Sequence, residues 1–344
     1  MKQDTSKKMS VAIVILNWNG KSLLEKYLPS VIKYSCGYDV YVADNGSTDD
    51  SIELLNKEFP SVKIITLDKN YGFTGGYNRA LRQIEADYYV LLNDDVEVTH
   101  NWVQPIVELM EENPNIAVCQ PKILSYVNKQ KFEYAGAAGG YIDYLGYPFC
   151  AGRVFEHLEE DHGQYNEERE IFWATGAAMF VRSKVFRDLG GLDEDFFAHM
   201  EEIDFCWRAK NMGYKVMYCP KSVVYHYGGG TLTKVSPYKT FLNFRNNLLL
   251  LYKNLPKKEL RKVMRKRKYL DLLAAIVFRI TSSKSEYKAV INARKEFKKI
   301  KDNFTKKRNE QVVSYPSEVY RKSLVLSSKV WQKNLFGQLV KNIK

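Results

Sequence analysis

The chain has 344 residues, 45% of them hydrophobic, with 52 Lys and Arg against 40 Asp and Glu for a formal charge of +12. That length exceeds one typical domain and the apolar content suffices for a packed core, which excludes a disordered chain or a small disulfide-stapled scaffold. The five cysteines, Cys36, Cys119, Cys150, Cys206 and Cys219, form no CxxC pair, so neither a disulfide framework nor a zinc cage is indicated and a reducing compartment fits.

The apolar run 11–16 is too short for a signal-peptide core. The longest apolar candidate, 269–280, is interrupted by Asp271 and Arg279 and falls short of the ~20 residues a spanning helix needs. A cytoplasmic protein is expected, at most peripheral on the inner face of the membrane. Residues 253–308 hold 20 of the 52 Lys and Arg. Such a basic face suits phosphates, including lipid head groups; the competing reading is a solvated helical surface. No zinc finger or RNA-binding aromatic signature accompanies it, so no nucleic acid partner is expected.

In chain order, apolar runs predict a strand over 10–17, a helix over 22–34, a strand over 39–43, and a helix over 48–58 capped by Ser47 or Thr48. A strand over 62–67, a helix over 74–86 and a strand over 87–92 follow. This alternation predicts a mostly parallel sheet with helices on both faces, whose ligands sit outside the carboxyl ends of the strands. Those ends carry Asn17-Trp18-Asn19-Gly20, Asp44-Asn45-Gly46-Ser47, Asn70-Tyr71-Gly72 and Asn93-Asp94-Asp95. Polar and acidic groups therefore converge on one edge.

A helix over 102–112 and a short strand over 116–119 come next. Residues 125–169 lose periodicity, as expected of long loops or a hairpin insertion. A strand over 171–182 contains Thr175-Gly176-Ala177-Ala178, and a helix over 201–212 has Gly213 as its C-cap. A last strand over 214–218 leads to Tyr225-His226-Tyr227-Gly228-Gly229-Gly230. Beyond Pro237 the chain reads as helical and basic, with a boundary at Pro256.

Asp94 and Asp95 are adjacent carboxylates at the end of an apolar strand, where they repel each other without a cation. Mg²⁺ is typically held by one or two carboxylates plus substrate phosphates; an Asp pair capping a helix or making a turn is the alternative. The glycine-rich loop Asn70–Asn78 stands between a strand and a helix, where backbone amides can approach a diphosphate. A dinucleotide-binding fold would require GxGxxG in the first turn, and Asn-Trp-Asn-Gly stands there instead.

The runs VAIVILNWNG, VADNGSTDDS, NYGFTGGYNRAL and LLNDDVEV, followed by FWATGAAMFVRSKVF, GGLDEDFFAHMEEIDFCWR and VVYHYGGGT, resemble family 2 glycosyltransferases of the GT-A fold. The resemblance covers roughly residues 11–252 and is closest to the rhamnosyltransferase-like branch. It implies an α/β fold of GT-A type: a mostly parallel sheet flanked by helices, with a Rossmann-like nucleotide-binding half. A GT-A domain over 10–255 would divide into a donor half of about 10–120 and an acceptor half of about 121–235, with a helical basic C-terminal extension over 256–344.

The resemblance also implies roles. Asp44 would bind the base or ribose of a dTDP- or UDP-linked sugar, with Asn17 and Asn19 beside it. Asn70, Gly72, Gly76 and Asn78 would shape and support the donor pocket. Asp95 would hold a divalent metal, Mn²⁺ or Mg²⁺, completed by His226, and Asp94 would contact ribose or metal; Asn93 replaces the first acid of the family's motif. Glu201-Glu202-Ile203-Asp204 matches an acidic signature in which Glu202 stands at the position of the catalytic base. Acids also belong in the first turn of a helix for electrostatic reasons alone. Trp173, Gly176 and Trp207 are candidates for the acceptor site, against core packing for the two indoles.

The expected reaction is inverting transfer to a glycan or lipid-linked acceptor in cell-surface polysaccharide synthesis. The alternatives are a catalytically silent nucleotide-sugar-binding module, against which the retained acids argue, and a membrane- or polyanion-binding protein. Phe241, Phe244, Leu248, Leu251 and Tyr252 form an apolar stripe next to Arg245, as in a helix lying on an anionic membrane or packed on the catalytic domain.

Overall fold

The computed structural model describes residues 9–228 and 236–340. Gly229 and Gly230 of the glycine run, with the end of the expected acceptor half, lie outside them. The first half alternates as the apolar periodicity predicts: β1 (Val11–Asn17), α1 (Lys21–Tyr34), β2 (Asp39–Asp44), α2 (Ser51–Glu58), β3 (Lys63–Thr66), α3 (Gly72–Leu81) and β4 (Tyr88–Asn93). β5 (Val96–Val98), α4 (Gln104–Glu112) and β6 (Ile116–Ser125) follow. The insertion contains β7 (Gly140–Ile142), β8 (Pro148–Cys150), β9 (Arg153–Val154) and β10 (His157–Leu158), which form a separate antiparallel sheet.

β11 (Arg169–Glu170), β12 (Ala178–Arg182), α5 (Ser183–Asp188), α6 (Glu201–Asn211) and β13 (Lys215–His226) complete the α/β body. The main sheet runs β11-β13-β6-β12-β4-β1-β2-β3, with β5 paired to β13. β1, β2, β3 and β4 pair in parallel. β12 enters antiparallel between β4 and β6. Alternate residues of β1 feed opposite layers: Val11, Ile13 and Ile15 pack with Leu24, Leu28 and Val31 of α1, whereas Ala12 and Val14 pack with Tyr77, Ala80 and Leu81 of α3. A strand covered on both faces reads as a continuous apolar run, as this one does.

The register places the polar strand ends together. Asn17 lies beside Asp44, and Leu16 beside Asn93. His226 is paired with Val96, next in sequence to Asp95.

Several expected boundaries move for local reasons. α2 starts at Ser51 because Thr48 and Asp49 donate their amides to Asn19 Oδ1, which holds them in a turn. The strand expected over 171–182 shrinks to Ala178–Arg182. Upstream, Ile171 N–H donates to Val216 and Trp173 N–H to Gly140, so the segment pairs piecemeal. The last strand continues past 218 to His226 through a register shift between Cys219 and Val223, where Pro220 lacks an amide for the ladder.

Beyond the α/β body, α7 (Pro237–Asn254), α8 (Lys257–Thr281) and α9 (Lys284–Asn309) pack on one another, and α10 (Leu324–Lys329) and α11 (Phe336–Leu339) end the described chain. Residues after Pro256 return to the body: Tyr320 exchanges backbone hydrogen bonds with Ile142 and Tyr144, and Leu324 N–H donates to Asp143. Leu248 and Leu251, from the stripe expected on α7, are buried in the main core.

Candidate active site

The residues expected to meet the donor are organised by short side chains at the strand ends. Asn17 Nδ2 donates to Asp44 Oδ1 at 3.0 Å and to Ser47 Oγ at 3.1 Å, while its own Oδ1 is buried with no hydrogen-bond partner among the described residues. A Cβ at Gly20 would fall 2.5 Å from that oxygen and 2.7 Å from Asp94 Oδ2, so glycine keeps a polar cradle open there. Asn19, at φ 52°, shapes the loop by accepting the Thr48 amide at 2.7 Å. Asn70 Oδ1 accepts the Gly72 amide at 2.8 Å and an amide proton of Asn45 at 3.1 Å. Gly72 sits at φ +71°, with the Phe197 ring where a Cβ would go. Gly76 packs against Leu16 and Asn45.

Asp94 and Asp95 are both buried. Burial, and the Asp95 charge beside it, push the Asp94 carboxyl up to about 7. His226 stands between two carboxylates, with Nε2 3.0 Å from Asp95 Oδ1 and Nδ1 3.1 Å from Glu133 Oε2. Burial opposes its charged form, but Glu133 and Asp95 outweigh that and push the imidazole up to about 10. The described residues contain no ready group of three His, Cys, Asp or Glu that could hold a metal ion. Asp95 and His226 are nevertheless a carboxylate and an imidazole side by side, donor types that would suit a dication shared with substrate phosphates. Glu133 would then be the outer carboxylate that orients the imidazole.

α6 begins with Glu201 and Glu202, and Oε2 of each is buried with no hydrogen-bond partner among the described residues. Burial pushes Glu202 up to about 7. Burial and the neighbouring Glu202 charge also push Glu201 well above the ordinary carboxylate range. Desolvation therefore overrides the lowering expected from the helix N-terminus. The turn leading into α6 is strained, with Phe197, His199 and Met200 at φ 65°, 69° and 75°. Phe197 O accepts the amides of Phe73 at 2.9 Å and Thr74 at 3.2 Å, which fastens the acidic turn to the donor loop.

The sequence profile of glycosyl transferase family 2 matches residues 10–190, more than half of the chain. The chain belongs to this family. Among curated relatives, the N-acetylglucosaminyl-diphospho-decaprenol L-rhamnosyltransferase of Mycobacterium tuberculosis is 24% identical over 232 residues, covering 62% of this chain and 75% of the relative. The structure of S. aureus TarS 1–349 with UDP-GlcNAc superposes with a TM-score of 0.57 at 14% identity, over 84% of this chain and 80% of that one. GalNAc-T7 with UDP, GalNAc and Mn²⁺ gives 0.56 at 16% identity over 73% of this chain; the chain spans only 49% of that structure. The protein is a glycosyltransferase with a GT-A-type α/β fold and a helical C-terminal region.

In this family 2 glycosyltransferase some expected site residues are engaged in holding the fold together. Asn78 ties α3 to the turn before α6 through Leu192 N–H, Leu192 O and Glu194, which leaves its amide group engaged in scaffolding rather than aimed at a donor. Asp204 is fully buried and accepts from Arg208, Lys253 and Asn254. Burial opposes its charge, but Lys253 and Arg208 hold the carboxyl down at about 2, so it is a structural anion and a poor base. Trp173 is buried over Gly140 and donates to Tyr141 O at 2.9 Å, and Trp207 is buried edge-on to Phe172. Neither indole offers a face to a sugar; of the acceptor candidates only Gly176 is half-exposed, beside Phe73.

Two residues escaped the sequence reading. Glu133 lies in the aperiodic insertion, where nothing local marks it. Asn246 is buried in α7 and donates to Phe196 O, Ala198 O and His199 O, clamping the strained turn. Its signal was faint: a polar residue interrupting an apolar helical stripe.

Proposed function

We propose that this enzyme moves a hexosyl group, of the rhamnosyl type, from a dTDP- or UDP-linked donor to a hydroxyl of a lipid-linked or glycan acceptor, with inversion. The M. tuberculosis relative, named for a lipid-diphosphate acceptor, supports that acceptor class. Such an acceptor belongs to cell-surface polysaccharide assembly and would bring the enzyme to the inner face of the membrane. No helix among the described residues is long and apolar enough to cross a membrane.

The observation that carries the reading is the unpartnered Oε2 of Glu202, its carboxyl raised to about 7, in the first turn of α6 just after a segment hydrogen-bonded to the loop at Phe73 and Thr74. A base poised there takes a proton near neutrality. The acceptor hydroxyl oxygen forms its bond to the anomeric carbon as the bond to the diphosphate oxygen breaks, and the hydroxyl proton passes to Glu202. Asn17, Asn19 and Asp44 orient the nucleotide, and the loop Asn70–Gly72, with its Tyr71 and Gly72 amides held by Asn45 and Asn70, shapes the donor pocket. A Mn²⁺ or Mg²⁺ held by Asp95 and His226 would supply positive charge against the leaving diphosphate.

The test is turnover of a panel of nucleotide sugars by wild type and Glu202→Gln. We expect kcat to fall by about 10²–10⁴-fold, the usual contribution of a general base, with donor binding retained in a thermal-shift assay. Full turnover by the variant removes Glu202 from the mechanism.

A further inference from the structure

α8 is built inside out. Its inner face carries Val263, Arg267, Asp271 and Ala275, all buried at four-residue spacing. The two charges are satisfied there: Arg267 donates to Asp271 at 3.0 Å and to Leu145 O at 2.9 Å, and Arg294 of α9 pairs with the other Asp271 oxygen. The opposite face carries Tyr269, Leu272, Leu273, Ile276, Val277 and Ile280, between 44% and 77% exposed. Their spacing of three and four residues puts them in one continuous stripe. Large apolar side chains gathered on one solvent-facing stripe, while ionic groups occupy the packed face, mark a surface that meets something apolar.

Toward the N-terminus the same stripe changes chemistry. Lys258, Lys262 and Arg265 continue the three- and four-residue spacing on the outer face, and all are exposed. The outer face is therefore basic for its first turns and apolar for its last three, with Tyr269 at the junction. We infer that this face of α8 lies in the interfacial layer of an anionic lipid membrane, apolar half in the acyl boundary and basic half on lipid phosphates.

A second copy of the chain suits the stripe poorly. Parallel pairing of two such helices sets Lys258, Lys262 and Arg265 against their own like charges, and antiparallel pairing buries them against leucine and isoleucine. A lipid surface takes both halves at once. The helix cannot cross the bilayer, since no described helix is long and apolar enough, so it lies along the surface.

The inner face of α8 reaches toward the acceptor side. Arg267 hydrogen-bonds Asn247 Oδ1 of α7, and the neighbouring Asn246 clamps the turn before Glu201 and Glu202. One helix layer thus separates the lipid-facing stripe from the elements that position the base. The purpose assigned to this contact, presenting a lipid-linked acceptor, rests on the function proposed above; the contact itself does not.

The experiment is flotation of the full chain with vesicles of phosphatidylglycerol and phosphatidylethanolamine, and with phosphatidylcholine vesicles, at 0.1 M salt. Wild type should float with the anionic vesicles and remain with the soluble fraction beside phosphatidylcholine. Leu273→Gln/Ile280→Gln should lower partition at least about tenfold, because apolar area no longer leaves water. Lys258→Glu/Lys262→Glu should lower it by about tenfold or more through the lost attraction to anionic lipid. Both variants should bind UDP or dTDP with Mn²⁺ as wild type does, and that readout fails separately if the glycosyltransfer reading is wrong. Absence of wild-type flotation, or flotation unchanged in Leu273→Gln/Ile280→Gln, overturns the inference. So does a wild-type dimer that this variant converts to monomer, since a second copy would then cover the stripe.

Discussion

As the proposed base, Glu202 links pH to both rate and stability. Only its ionised form accepts a proton, so kcat should rise with pH through about 7. Its carboxyl is raised above the ordinary 4.5 because burial disfavours the charge, which means the folded state holds a proton that the unfolded chain releases first. Stability then falls as pH rises from about 4.5 to about 7 and stays lower above that window. Glu202→Gln should accordingly melt above wild type at pH 8 and converge with it near pH 4.5, read by scanning fluorimetry. In the proposed metal site Glu133 would act through His226: Glu133→Gln should weaken Mn²⁺ binding in the presence of UDP by about 10–100-fold, as loss of a carboxylate behind a metal-binding imidazole generally does. Titration of free Mn²⁺ by electron paramagnetic resonance reads this directly, and unchanged affinity would leave Glu133 without that positioning role.

At the scale of elements, the turn into α6 shows strain held in place by a neighbouring helix. Left-handed backbone at Phe197, His199 and Met200 is unfavourable for residues with side chains, and the Asn246 amide on α7 offsets it through three carbonyls. Asn246→Ala should destabilise the protein by about 2 kcal/mol, the order expected when buried carbonyls lose their donor. It should also lower kcat while donor and metal binding persist, because the donor edge is built by β1, β2 and β4. Denaturant unfolding beside a turnover assay separates the two effects. The same dependence on distant elements explains why the strand expected over 171–182 was too long: its first half is apolar, yet its hydrogen-bond partners alternate between Val216 and Gly140.

For the whole molecule, the helices after Pro256 complete the catalytic body. Lys307 pairs with Asp193 and Asp195, and Arg308 donates to Tyr252 O at the end of α7. Phe304 packs edge-on to Phe196, directly before the strained turn. Removing residues after Pro256 would leave the buried Lys253–Asp193–Asp204 cluster open to water and bare the apolar side of α7. A chain truncated there should lose cooperative unfolding in circular dichroism and elute as aggregate; a monodisperse, cooperatively melting fragment would show that the body stands alone.

The alternation of strand and helix, and the gathering of Asn17, Asp44, Asn70 and Asp94–Asp95 at one sheet edge, were legible in the amino-acid order. Those features are local: a run of apolar residues says which segment is buried, and the residues that end it necessarily lie at the strand's carboxyl end. The motif residues around Glu202 were legible too, but not the division of labour within them. Asp204 became a structural anion because Lys253 and Asn254 arrive from α7, whereas Glu202, placed at the base position by resemblance, has its carboxyl raised because packing strips water from it. Likewise, His226 meets Asp95 and Glu133 only through the register of β13 with β5 and the folding back of the insertion. Trp173 and Trp207 were withdrawn from the acceptor site by packing that no local pattern reports. Periodicity encodes which way a segment faces; which distant charges meet, and how dry they are when they do, is decided only once the chain has closed on itself.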